Sequence, residues 1–345
     1  MDNERDRAIQ RVRHLLESAG FYVTDAHHVR PTSFDLLARR DSLLLILKIL
    51  KNIDALDPSE ADRLQELGRL FPASPLVVGQ TSGSTELEAG VVYSRYGLSI
   101  IVEESLRDFL LKGLPPFLFS SPGGIFARID GGRLREIRVA RNLSLGAVAG
   151  AAGVSRRTIQ LYEEGAGAEV SVIARLEAFL GEPIAKALEL FGPVLPPLRG
   201  REVAPDEEET RPGAKSAPRS GRPTGKGREL QSTGDTMRDT VFRQLDGMGW
   251  EVTVTVRCPF DAFTQGPTRE EEILLTSVGS LRTAQHRAEL LQQLARVAEG
   301  HAVFVVREIP SRTSIDGLPL VSMGELKRHR GREELVELIS ERETL

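Results

Sequence analysis

Residues 134–165 read LREIRVARNLSLGAVAGAAGVSRRTIQLYEEG. The spacing of apolar, small and capping residues in this stretch decides the centre of the fold. Leu134, Ile137 and Arg138 follow helical periodicity, and their helix is expected to end near Arg141-Asn142. Ser144 is a good N-cap for a second helix, with Leu145, Val148 and Ala149 on one face. Ala147, Ala149, Ala151 and Ala152 are small enough for two helices to approach closely. Gly153 marks a tight turn, because a β-carbon would clash in the left-handed backbone such a turn requires. Val154 is placed to fill the angle between helices. Ser155 caps a third helix that turns Ile159 and Tyr162 inward.

The outer face of that third helix carries Arg156, Arg157, Thr158 and Gln160. A helix that reads DNA presents its first residues to base edges in the major groove. Arginine can bond both acceptors of guanine, and glutamine can do the same for adenine. Ser155 and the free amides behind it suit a phosphate, as does Ser144 one helix earlier. Between Arg128 and Glu164 there are seven arginines against four acids, in a chain whose net charge is −4. A basic surface is therefore local to this stretch. The set Leu134-Arg135-x2-Arg138, Leu143-Ser144, Val148-Ala149, Gly153-Val154-Ser155, Thr158-Ile159 and Tyr162-Glu163-x-Gly165 resembles the lambda-repressor-like, or Xre-type, helix-turn-helix family. The resemblance implies Ser144, Ser155, Arg156, Arg157, Thr158 and Gln160 as DNA-binding residues, with Arg138 and Arg141 as further phosphate contacts. The sequence departs from the family at Leu145, where a phosphate-contacting glutamine is frequent. Helices over 171–180 and, after Gly181 and Pro183, over 184–191 would complete a five-helix, all-α domain at residues 123–192.

Reading outward, residues 1–120 mix helix and strand signals, as a small α/β domain does. A helical pattern over 5–19 ends at Gly20. Strands are expected at 21–23, 34–38, 43–50, 76–78 and 98–102, and a helix over 59–70 with Ser59 as cap. The 43–50 segment is apolar at nearly every position, as in a strand buried on both faces. Residues 193–236 read as a disordered linker. From Arg211 to Arg228 that segment carries six basic residues and no acid. Residues 237–345 look like a repeat of the first block. Val12-x3-Leu16-x3-Gly20-Phe21-x-Val23 matches Val241-x3-Leu245-x3-Gly249-Trp250-x-Val252, and Phe34-Asp35 matches Phe260-Asp261. Ala61-x2-Leu64-Gln65 matches Ala288-x2-Leu291-Gln292, and Gly97-Leu98 matches Gly317-Leu318. The expected fold is therefore a multidomain α+β chain, with the helix-turn-helix domain flanked by two related α/β domains.

Asp35 beside a strand and Lys48 on the next one resemble the frame of restriction-endonuclease-like nucleases. Those enzymes need Asp and then Glu-x-Lys to hold a divalent metal. Here Ile46 stands two before Lys48, so one ligand is missing. Within residues 237–345 Leu275 and Ser277 replace the carboxylate and the lysine. No catalytic residue, cofactor or metal site is expected. The plain reading makes Asp35 a turn carboxylate and Lys48 a lysine snorkelling out of its strand. His27-His28 lacks a partner cluster. Ser220 to Gly227, SGRPTGKG, lacks the spacing of a phosphate loop.

Hydrophobic residues at 40% and charged residues at 27% suit a globular protein. A single cysteine excludes a disulfide framework, which suits a cytoplasmic location. No apolar run is long enough for a membrane span. The layout also resembles archaeal helix-turn-helix transcriptional regulators, on Gly123-Gly124-Ile125-Phe126-Ala127-Arg128-Ile129-Asp130-Gly131 and on Ser144-Leu145-Gly146 with Gly153 to Arg157. That resemblance implies a transcription regulator binding double-stranded DNA as a homodimer, with room for an effector ligand. Two alternatives stay open: a DNA-processing nuclease or its inactive scaffold, and an antitoxin-like binding module.

Overall fold

The computed structural model describes residues 2–25, 33–191, 233–266, 273–308 and 312–343. Most of the expected linker, His27-His28 and the 220–227 segment lie outside the described residues.

The first unit runs α1 (Asp2–Ser18), β1 (Tyr22–Asp25), β2 (Leu36–Arg40), β3 (Leu43–Asn52), a single 3-10 turn (Ile53–Ala55), α2 (Pro58–Leu70), β4 (Ser74–Ser82), β5 (Thr85–Glu86), β6 (Val91–Arg95), β7 (Leu98–Ile101) and α3 (Glu103–Lys112). Its sheet has the order β1-β2-β3-β4-β7-β6. The β3–β4 and β4–β7 pairs are parallel and the other neighbours along that order are antiparallel. β3 is buried at Leu44 through Leu50, as its unbroken apolar run predicts. Leu45, Leu47 and Ile49 pack toward α1, while Leu44, Ile46 and Leu50 pack toward α2. The cap of α2 is Asp57, which accepts from the Glu60 amide, and not Ser59. Pro58 explains the shift: its ring prefers the first helical turn, which moves the cap one residue ahead of it.

The middle of the chain comprises β8 (Leu118–Ser121), β9 (Gly124–Ile129), α4 (Gly131–Ala140), α5 (Leu145–Ala152), α6 (Arg156–Glu163), β10 (Gly167–Glu169), α7 (Val170–Leu180) and β11 (Ala185–Lys186). This part is not all-α, and four helices stand where five were expected. β8 pairs with β6, β9 with β8, and both β10 and β11 with β9. The sheet of the first unit thus continues into the helix-turn-helix without a break. Residues 184–191 form no helix, and within them only Ala185–Lys186 is strand. Ile184, Leu188 and Leu190 are buried while Lys186 and Glu189 are exposed, an alternation that belongs to a strand. Leu188 donates its amide to Pro116 O at 2.8 Å, and Phe191 packs on Phe109 at 5.1 Å between ring centres. This segment returns the chain to the core of the first unit.

The last part comprises α8 (Thr236–Gly247), β12 (Glu251–Val254), β13 (Ala262–Gln265), β14 (Ile273–Val278), α9 (Leu281–Ala298), β15 (His301–Val306), β16 (Ser314–Ile315), β17 (Leu318–Ser322), α10 (Met323–Arg328) and α11 (Arg332–Glu343). Its sheet order is β12-β13-β14-β15-β17-β16. Strand directions repeat those of the first unit pair by pair. The likeness extends to a glutamine that bonds the backbone of the same turn, with its acceptor one residue later in the last unit. Gln65 Nε2 donates to Tyr96 O at 2.5 Å, and Gln292 Nε2 donates to Gly317 O. Both turns pair a residue at positive φ with a glycine: Tyr96-Gly97 and Asp316-Gly317.

The two α/β units share one apolar core. Phe71 of the first meets Phe260 and Phe263 of the last edge-on, at 5.8 and 5.0 Å. The Ser33 amide donates to Arg257 O at 2.9 Å. Arg39 reaches Val297 O at 2.6 Å and Glu299 at 2.5 Å.

Candidate nucleic-acid interface

The three central helices fold around Leu134, Ile137, Val148, Ala149, Ile159 and Tyr162, all buried. Gly153 takes φ +70° between α5 and α6, the left-handed turn that its position predicts. Ser144 Oγ accepts the Ala147 amide at 3.1 Å, and Ser155 Oγ accepts the Thr158 amide at 3.1 Å. The Ser155 and Thr158 hydroxyls also bond each other at 2.8 Å. Arg175 of α7 donates to Ala152 O at 2.8 Å and braces the turn. A side chain at Gly131 would run into the backbone carbonyl of Glu163, so the start of α4 lies hard against the end of α6.

Arg156, Arg157 and Gln160 are exposed on α6, with no hydrogen bond or ion pair among the described residues. The Arg156 guanidinium lies over Gly146, where an added β-carbon would come within 3.0 Å of it. Leu145, at the position of the missing glutamine, is half-buried against the core.

The structure separates the remaining arginines into two groups. Arg138 is largely withdrawn from solvent. It makes two bonds to the Glu163 carboxylate, at 2.5 and 3.0 Å, with only 16% of its side chain exposed. It ties the last turn of α4 to the end of α6. Arg141 and Arg133 both pair with Glu182, at 2.7 and 3.0 Å, at the surface. Such exposed pairs exchange readily with solvent and other anions. In the sequence Glu163 stands only as part of the family motif and Glu182 not at all, because the helix crossings that bring them to arginine are not visible there. Arg128, Arg135, Arg156 and Arg157 remain exposed and without a partner among the described residues.

The nuclease-like frame in the first unit is differently occupied. Asp35 is 2% exposed and is not a turn carboxylate. Its Oδ2 accepts the Ile49 amide at 2.8 Å and its Oδ1 accepts Arg5 at 2.6 Å. Lys48 does not snorkel: it is 6% exposed, with its ammonium 2.6 Å from Glu60. In the last unit Asp261 accepts the Val278 amide at 2.8 Å, with Arg238 at 3.3 Å and Arg287 at 3.8 Å from its other oxygen. Each carboxylate already has a protein cation, and Ile46 is buried where the second carboxylate would stand. This donor set does not fit a divalent metal. Among the described residues no group of three metal-ligating side chains converges, and no helix is long and apolar enough to cross a membrane.

A short capped helix with unpaired arginines, set behind a glycine turn, defines a helix-turn-helix protein, here built onto a nuclease-like sheet. Two family models match: the PD-(D/E)XK superfamily domain over residues 5–116 and Helix-turn-helix over residues 134–186. Among curated proteins, one from Natronomonas pharaonis is 34% identical over 98% of both chains. One from Methanocella arvoryzae is 32% identical over 98% of this chain and 97% of its own. One from Archaeoglobus fulgidus is 30% identical over 97% of both. Each bears the name "Putative HTH-type transcriptional regulatory protein". The chain belongs to this family of HTH-type transcriptional regulatory proteins. No solved structure matches it.

Proposed function

We propose that the protein is a sequence-specific DNA-binding regulator of transcription, with α6 as its recognition helix. Arg156, Arg157 and Gln160 meet base edges. Ser144, Ser155 and Thr158 meet phosphates through hydroxyls and helix-start amides, and Arg141 is free to leave Glu182 for a phosphate. The observation that carries this reading is the contrast between the arginines of α6, which face water without a partner, and Arg138, which is locked to Glu163. A homodimer on two half-sites follows from the usual symmetry of such readers.

Binding of the protein to a DNA fragment spanning its own promoter, measured at two salt concentrations, tests the proposal. Arg156→Ala and Arg157→Ala are each expected to cost about 1–3 kcal/mol of affinity. Parental affinity in both variants overturns the assignment of α6.

The two α/β units act in this reading as a non-catalytic frame, the last unit being a repeat of the first. The matching strand order, the matching Asp35 and Asp261 staples and the absence of a second carboxylate at Ile46 support it. Incubation with supercoiled DNA and magnesium is expected to leave the DNA intact. Cleavage that is lost in Asp35→Ala assigns a nuclease instead.

A further inference from the structure

The tip of the β8–β9 hairpin and the first turn of α6 are the two banks of one open cleft of about 950 Å³. Ser121, Pro122 and Gly123 line one bank, and Ser155 and Thr158 the other. The hairpin register joins Ser121 to Gly124, so the tip is the two-residue turn Pro122-Gly123. Gly123 has φ +99° and Gly124 has φ +144°, conformations that glycine alone takes without strain. A β-carbon at Gly124 would meet nothing within 4 Å. The tip backbone therefore stands clear of the rest of the protein.

The charges around the cleft are uneven. Two arginines line it: Arg175, which is held by Ala152 O, and Arg128 of β9, exposed and without an ion pair among the described residues, while Arg156 and Arg157 stand on the adjoining face of α6. The acids that line it, Glu164 and Glu169, follow the far end of α6. Ser121, Gly123, Ser155 and Thr158 share the lining with apolar side chains such as Phe119, Phe126 and Leu161; the glycine and the hydroxyls offer backbone amides and small donors at close range, which suits a sugar-phosphate chain. An enclosed apolar pocket of the kind that small ligands prefer is a different shape.

We propose that the β8–β9 tip is a second DNA contact, holding the sugar-phosphate backbone beside the groove that α6 enters, with Arg128 as its cation. This rests on the reading of α6 as the recognition helix. The continuous sheet then has a mechanical purpose: β9 carries the tip, and its partner β10 follows the end of α6, so hairpin and helix meet DNA as one rigid body.

The test is DNA affinity across a salt series for the full chain and for Arg128→Ala, Arg128→Lys, Pro122→Glu and Arg157→Ala. The expected result is that Arg128→Ala weakens specific and non-specific DNA alike and lowers the slope of log affinity against log salt by about one. Arg128→Lys keeps the slope, which separates a lost phosphate contact from a damaged fold. Pro122→Glu, which sets a carboxylate at the tip, is expected to weaken binding about tenfold at low salt. If Arg157→Ala weakens binding while Arg128→Ala and Pro122→Glu keep the parental affinity and slope, the hairpin contact is overturned and α6 stands. If Arg157→Ala is also parental, both readings fall.

Discussion

Arg138 and Arg157 are both charged residues on the short central helices, and Glu163 reaches only the first of them. The partner, not the residue type, separates a strut from a reader. The pair is largely buried, so removing one member leaves the other charge without compensation. Arg138→Met is therefore expected to cost about 3 kcal/mol of stability, read from the midpoint of urea unfolding, while DNA affinity of the folded protein stays parental. An unchanged midpoint together with weakened DNA binding would return Arg138 to the interface. Exposure of Arg156, Arg157 and Gln160 was legible in the sequence, because the buried Ile159 and Tyr162 fix the inward face of an eight-residue helix. The pairing of Arg138 was not, since its partner lies 25 residues on and meets it only through a helix crossing. The same holds for Lys48, whose partner Glu60 arrives with the packing of α2.

At the scale of elements, period and punctuation in the sequence located the core strands and the three central helices. They failed where a proline or an alternation competed with a helical reading. Residues 184–191 follow Gly181 and Pro183 as a fresh helix would, but their buried side chains alternate, and tertiary docking on the first unit decided the outcome. The hairpin β8–β9 was missed because its strands are short, four and six residues, and because Gly123 onward read as the lead-in to a helical domain. A clasp between α10 and α11 shows how an element end can carry pH dependence. Glu325 closes a capping box with Ser322 and accepts Arg342 at 2.6 Å. Burial pushes its carboxyl up, but the Arg342 and Ser322 hydrogen bonds outweigh it and hold the group below its ordinary value of 4.5. A carboxylate with a lowered folded value adds stability that is complete above the unfolded value and fades as pH falls through the folded one. The stability gap between the parent and Glu325→Gln is thus expected to be full at pH 7 and to shrink progressively below about pH 4.5. A gap that stays constant down to pH 3 in equilibrium unfolding would show that the clasp contributes no charge.

At the scale of the whole molecule, the two α/β units behave as one body because their inner faces are a single core. Cys258 lies in that core, and burial pushes its thiol up to about 12. Only the thiolate reacts, so an alkylating reagent at pH 8 is expected to spare Cys258 until the units separate. Labelling in a urea series is expected to follow global unfolding. Rapid labelling of the native protein would mean that the units part while each stays folded. The likeness of the two units was legible in matched residues such as Gln65 and Gln292. Their mutual packing was not, because either apolar face could equally have sought another molecule.

The unbroken run from β6 through β8 and β9 to β10 has a practical consequence for anyone dissecting this chain. The boundary that the sequence suggests, between residues 120 and 123, falls in the turn of a hairpin. A fragment of residues 123–192 would strip β9 of β8, and the remainder would keep β8 with a bare flank. Each piece would carry a raw strand margin of unsatisfied amides and carbonyls, the kind of surface that recruits other chains. Size-exclusion chromatography is expected to show such a fragment as large, polydisperse aggregates. A monodisperse fragment would mean that β9 heals its margin without its neighbour. Splitting the reader from its frame would thus create the stickiness that the intact molecule is built to hide.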